Sequence, residues 1–240
     1  MAVQLFVTCL VDALRPEVGE ATVAVLEAAG ETVEFPPDQT CCGQPAYNAG
    51  FRAEAVAMAA RTVRLLDATE GPVVLPSGSC ADFLVNHAPE ILDGADHDAA
   101  VRVAGRVREL TQYLVDDLGS GLRAAADGSV AYHPSCHGLR NLGIRDQPEA
   151  LLDGCDRVSL PDGEAEVCCG FGGLFSVEMP QVSAAMLERK LDAIEAAGPD
   201  VVCGGDVSCL MHIEGGLRRR GDSGDVRVAH IAELLAEGSG

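Results

Sequence analysis

The chain contains no tryptophan and a single lysine, Lys190. Aromatic residues make up 4% of its 240 positions. A core built from such a sequence is aliphatic, made of Val, Leu, Ile and Ala. The apolar share of 48% is enough to fill it. Positive charge is also scarce: Lys and Arg total 17 against 37 Asp and Glu, a formal charge of −20. That balance excludes nucleic acid and anionic membrane surfaces as partners, because both demand basic patches. The near-exclusive use of Arg is read as a bias of composition. The acidity is read as serving solubility or a salty cytoplasm.

Long apolar runs are missing too. No stretch reaches the roughly 20 residues of a membrane helix. Residues 1–7 carry no basic region ahead of an apolar one, so no secretory signal is expected. A cytoplasmic location is the expectation. In a reducing compartment, cysteines serve as metal ligands more often than as disulfides. No Ser–His–Asp set, Walker motif or H-E-x-x-H appears.

What is present is cysteine, ten residues of it, in a doubled pattern. Cys9 precedes Cys41-Cys42-Gly43 by 31 intervening residues, and Cys80 follows. Cys136 precedes Cys168-Cys169-Gly170 by the same spacing, and Cys209 follows. The chain therefore reads as a tandem duplication with its seam near Asp127-Gly128, giving lobes 1–127 and 128–240. Each lobe opens on a strand-like run ending at a cysteine, residues 3–8 and 130–133. Helical patterns follow at about 16–29, 52–68 and 180–197, with looser ones at 107–118 and 231–236. Short apolar runs at 33–35, 73–75 and 201–202 read as strands. Strands alternating with helices predict an α/β fold of two pseudo-symmetric lobes, each a small, mostly parallel sheet flanked by helices. In such sheets, sites form beyond the carboxyl ends of the strands, where these cysteines fall.

Adjacent thiols such as Cys41-Cys42 fit poorly on one zinc ion, whose structural sites usually draw on C-x-x-C pairs. A multi-iron cluster presents several ligand directions, and four thiolates per lobe match a cubane [4Fe–4S] cluster. Zinc and redox-active thiols stay open as alternatives. Cys203 reads as a core thiol or a spare ligand, and Cys155 has no assigned role. His133 and His137 flank Cys136, and His212 follows Cys209 by about one helical turn. Each is a loop histidine or a group tuning a cluster. Gly170-Phe171-Gly172-Gly173 lacks the full dinucleotide fingerprint. Its expected use is to let backbone amides approach a cluster.

Cys-x31-Cys-Cys-Gly, repeated, resembles the CCG-domain family, which includes a subunit of heterodisulfide reductase, the glycolate oxidase iron–sulfur subunit and the lactate utilization protein A group. Phe6-Val7-Thr8-Cys9, Cys41-Cys42-Gly43-Gln44-Pro45-Ala46, Gly78-Ser79-Cys80, Tyr132-His133-Pro134-Ser135-Cys136 and Asp206-Val207-Ser208-Cys209-Leu210 are most similar to the last group. The resemblance implies a cytosolic iron–sulfur electron-transfer subunit, working with sister subunits that oxidise L-lactate to pyruvate. It implies cluster ligation by Cys9, Cys41, Cys42 and Cys80, and by Cys136, Cys168, Cys169 and Cys209. The wider family motif ends in C-x-x-C. Here Ser77 and Asp206 stand in the place of that extra cysteine, so the five-thiol site is not carried over; a heterodisulfide-reductase-like thiol–disulfide reductase subunit and a thiolate zinc-binding structural or sensor protein stay as alternatives.

Overall fold

Short runs rich in Val, Leu and Ala and bounded by turns make the mostly buried strands of parallel sheets. The computed structural model describes residues 1–221 and 226–239, and Gly240, the expected end of the second lobe, lies outside them. The strands are β1 (Val3–Leu5), β2 (Val33–Glu34), β3 (Val73–Leu75), β4 (Val107–Glu109), β5 (Val130–His133), β6 (Val201–Gly204) and β7 (Arg227–His230). They form two parallel sheets, ordered β2-β1-β3-β4 and β5-β6-β7. The α/β, two-lobe expectation holds. In the second lobe the counterpart of β2 is reduced to a single parallel bridge between Val130 and Arg157.

The first-lobe helices are α1 (Cys9–Leu14), α2 (Pro16–Ala28), α3 (Gln44–Asn48), α4 (Arg52–Asp67), α5 (Gly78–Asp82), α6 (Ala88–Ile91), α7 (Gly94–Ala104) and α8 (Leu110–Gln112). Wide π-type turns, Phe83–His87 and Tyr113–Asp117, continue α5 and α8. The second lobe contributes α9 (Cys136–Asn141), α10 (Asp146–Leu151), α11 (Phe175–Glu178), α12 (Pro180–Ala197), α13 (Val207–Arg220) and α14 (Ile231–Gly238). Proline opens α2 and α12, where its missing N–H costs nothing.

One sequence expectation is corrected. Residues 107–118 do not begin as helix, because Val107–Glu109 pairs with Val73–Leu75 as β4. Val107 and Glu109 point inward while Arg108 turns out toward Asp117, an alternation that three residues are too short to reveal. Strand β7, directly ahead of α14, is equally invisible in the sequence.

Three apolar clusters carry most of the core. One fills the first lobe around Phe6, Leu66 and Phe83 and includes Cys42. A second fills the other lobe around Leu187, Leu191 and Ile213 and includes Cys169 and Cys209. The third joins the lobes, packing Val25, Leu26 and Leu110 against Val201, Leu234 and Leu235. The lobes are therefore fused through common core rather than hinged.

Glu109, wholly buried at the end of β4, accepts the Thr111 N–H with Oε2, while its Oε1 has no partner. Burial pushes its carboxyl from 4.5 up to about 7, against the hydrogen bonds that favour its ionised form. The folded chain thus holds this proton more tightly than the unfolded chain. Its contribution to stability is full below about pH 4.5 and is lost as the pH rises to about 7. Over that window the wild type is expected to lose about 3 kcal/mol relative to Glu109→Gln in denaturant unfolding. A gain over the same window would contradict this assignment.

Candidate metal centre

The first sheet reverses its strand order between β1 and β3, the place where doubly wound sheets open a crevice at their carboxyl edge. Cys9 leaves β1 there as the first residue of α1, and Cys80 leaves β3 in the first turn of α5. In the second lobe Cys136 opens α9 after β5, and Cys209 lies in the first turn of α13 after β6. The adjacent pairs reach the same crevice through sharp turns. Gly43 and Gly170 follow them with φ of +106° and +91°. A side chain at Gly170 would sit 2.7 Å from the Ser183 carbonyl, and one at Gly43 would sit 3.1 Å from the Ala55 carbonyl. Glycine therefore presses each loop onto α12 or α4 and turns both thiols inward.

All eight thiols line one cavity of about 260 Å3. The sequence places each set at its own sheet edge; the fold brings both edges together. Cys42 and Cys80 have their Sγ atoms 3.4 Å apart, far beyond the roughly 2.05 Å of a disulfide. Every cysteine is a free thiol. A ring nitrogen of His133 and the sulfurs of Cys169 and Cys209 lie within 4.8 Å of one another. Neither ring nitrogen of His133 has a hydrogen-bond partner, although the side chain is buried.

Protons are shared unequally within each set. Hydrogen bonds from Cys42 and Cys9, aided by the Gly43 N–H, lower the Cys41 thiol to about 3. Cys136, Cys169 and the Gly170 N–H lower Cys168 to about 2. The donors shift the opposite way: bonding to Cys41 pushes Cys9 and Cys42 up, and bonding to Cys168 pushes Cys136 and Cys169 up. Hydrogen bonds within each set thus favour the thiolate form at Cys41 and at Cys168, the form that ligates a metal.

Ser77 and Asp206 act as helix caps. The Asp206 Oδ2 accepts from the Ser79 N–H at 2.9 Å and from the Ser77 hydroxyl at 3.2 Å. Its Oδ1 accepts from the Ser208 N–H at 3.2 Å and from the Ser208 hydroxyl at 2.6 Å. One buried carboxylate so caps α5 and α13, the helices bearing Cys80 and Cys209 in different lobes. All four acceptor positions of the carboxylate are occupied.

The histidines divide. His137 lies on the cavity wall, its Nδ1 2.5 Å from Oδ2 of the fully buried Asp82 in the other lobe. Asn86 and Asn141 donate to the same carboxylate, each at 2.7 Å. Burial raises the Asp82 carboxyl, but the bonds from His137, Asn86 and Asn141 outweigh it and hold it low. The bond to Asp82 in turn raises His137. His212 stays outside the cavity, bonded to Ser183 and edge-on to Phe171. Cys203 is buried in the core between the lobes, and Cys155 donates to the Ala124 carbonyl. Neither lines the cavity. Gly172 and Gly173 do, both with positive φ.

Sequence reasoning misses Asp82 and Lys190. Asp82 carries one weak signal, Asn86 one turn later. Lys190 carries a better one: it lies on α12 between the buried Leu187 and Leu191. It is itself fully buried, and its Nζ donates to the carbonyls of Glu164 and Ala165.

The cysteine-rich CCG domain model matches the chain twice, over residues 3–84 and 130–214. The chain belongs to the CCG cysteine-rich domain family. The chain is similar to the Lactate utilization protein A of Geobacillus kaustophilus, 46% identical over 241 residues, covering 98% of each chain. The protein of the same name in Anoxybacillus flavithermus is 45% identical over 241 residues, covering 98% of this chain and 99% of its own. That of Oceanobacillus iheyensis is 44% identical over 242 residues, covering 98% and 96%. Two CCG domains with their thiols gathered in one cavity suit a thiolate-bound metal group. The unpartnered His133, with one ring nitrogen within 4.8 Å of the Cys169 and Cys209 sulfurs, fits the same group. Among the described residues, no helix is long and apolar enough to cross a membrane.

Proposed function

We propose that this chain is an iron–sulfur electron-transfer subunit of a cytoplasmic L-lactate-oxidising complex, relaying electrons between sister subunits. Its units are the lobes 1–127 and 128–240. Each holds one [4Fe–4S] cluster, the first on Cys9, Cys41, Cys42 and Cys80, the second on Cys136, Cys168, Cys169 and Cys209. The observation that carries the reading is the single cavity lined by both thiol sets. Bound clusters supply reversible one-electron storage. The protein's part is to hold the ligands, to shield them from water with Leu10, Phe171 and Leu174, and to keep the sets adjacent. The relatives named for lactate utilization support the metabolic setting.

The relay reading is tested with the anaerobically reconstituted full chain. L-Lactate alone is expected to leave the cluster absorption unchanged, and addition of the sister subunits is expected to bleach it. Bleaching by lactate without them would overturn the relay. Cys42→Ser is expected to remove about half the iron and one of two EPR signals, sparing the other set. Equal loss of both signals would contradict two separate sites.

A second reading has one observation in its favour: His137, oriented by Asp82, stands in the cavity beside both sets. A disulfide reductase would use it to deliver protons as one S–S bond takes two electrons and two protons to give two thiols. The relay predicts no disulfide reduction by the isolated chain given a reduced viologen dye. Steady turnover that falls in His137→Gln would favour the reductase.

A further inference from the structure

The two thiol sets share one pattern but not one environment. The offset of 127 residues that relates Cys42 to Cys169 also sets Phe6 against His133 and Val63 against Lys190. Phe6 and Val63 are fully buried in the cluster that contains Cys42. The first set is therefore backed by hydrocarbon. Behind the second set stand a histidine with 2% exposure and a lysine with none. Lysine is almost never buried without a purpose or a partner. Lys190 tethers the segment leading into Cys168-Cys169, donating to the Glu164 and Ala165 carbonyls. Its flanking residues Leu187 and Leu191 pack in one cluster with Cys169 and Cys209. A ring nitrogen of His133 lies within 4.8 Å of the same two sulfurs, and neither of its ring nitrogens has a hydrogen-bond partner. Two other charged groups line the cavity: His137, held by Asp82 on the wall, and Asp206, which bonds into both lobes but stands where the first lobe has the neutral Ser77, so that its negative charge opposes that of Lys190.

We propose that Lys190 and His133 bias the pair electrostatically, making the centre held by Cys136, Cys168, Cys169 and Cys209 the more easily reduced. The inference rests on the iron–sulfur reading above. Reduction adds one electron and makes or breaks no bond, so its free energy responds to nearby fixed charge. A cation in a low-dielectric interior stabilises the added negative charge, and so does an N–H donated to sulfur. The hydrocarbon behind the first set does neither. Electrons supplied by the lactate-oxidising partner therefore collect in the second lobe, the side from which an acceptor draws them.

The test is an anaerobic redox titration of the reconstituted full chain, followed by EPR, with iron and sulfide measured first. Cys42→Ser identifies the second-lobe signal. That signal is expected to have the higher midpoint, and Lys190→Met is expected to weaken its reduction at least tenfold, about 59 mV for one electron. The first-lobe midpoint should stay in place. His133→Phe, which installs the residue of the first lobe, is expected to act in the same direction should Lys190→Met fold poorly. A purely structural tether would lower iron content and leave the midpoint of the remaining centres unmoved, which would overturn the proposal. Equal midpoints in the wild type would overturn it as well. Iron absent from the wild type overturns the cluster reading and this inference together. A normal pair of unequal midpoints without coupling to lactate overturns only the metabolic assignment.

Discussion

Replacing Asp206 with alanine is expected to destabilise the chain by about 3 kcal/mol and to lower its Tm by about 6–12 °C. The substitution uncaps α5 and α13 and leaves the Ser79 and Ser208 N–H groups without their acceptor in a buried setting. Because Ser79 belongs to one lobe and Asp206 to the other, the damage reaches both thiol sets. Iron bound after reconstitution should fall at both EPR signals, in contrast to Cys42→Ser. Asp206→Asn keeps one acceptor oxygen and should lose about half as much stability. A Tm unchanged within about 2 °C in Asp206→Ala would remove the carboxylate from the cap role described here.

Gly170→Ala carries the second large effect. A β-carbon at that position meets the Ser183 carbonyl at 2.7 Å and the Met186 Cβ at 2.8 Å, with φ at +91°. The left-handed backbone costs an alanine about 1–2 kcal/mol, and relieving the overlap adds about 1–3 kcal/mol. The loop can escape only by lifting Cys168 and Cys169 off α12. The expected result is a loss of about 3 kcal/mol by chemical denaturation and loss of the second-lobe EPR signal. Gly143→Ala is the control: its φ is +70°, yet nothing lies within 4 Å of the added carbon. It should cost about 1 kcal/mol and leave both signals intact. Equal effects at the two glycines would show that backbone strain, not the fit against α12, sets the requirement.

Much of this arrangement is legible without coordinates. Helix α12 spans the predicted residues because proline starts it and its apolar face repeats at helical period. The doubled Cys-Cys-Gly spacing locates both loops, and the glycines prove to be steric necessities. Elements β4 and β7 are not legible, since three or four residues carry no periodicity of their own. The convergence of the two sets is not legible either, because it depends on packing between lobes. The bond from His137 to Asp82 spans 55 residues, and the cap from Asp206 to Ser79 spans 127. In the sequence, Ser77 and Asp206 stand out for the thiols they replace, and the fold assigns them a positive role. Lys190 reads there as composition, yet α12 buries it behind the second thiol set. Hydrophobic periodicity marks that position but cannot say why a charge is tolerated.

On the proposed reading, the eight converging thiols hold iron–sulfur clusters, one in each lobe. It is tested most directly by measuring iron, acid-labile sulfide and zinc in the full chain after anaerobic purification and reconstitution. About eight irons, a similar amount of sulfide and little zinc per chain are expected, with EPR signals of two centres on reduction. A colourless protein that binds zinc and retains almost no iron would contradict that reading.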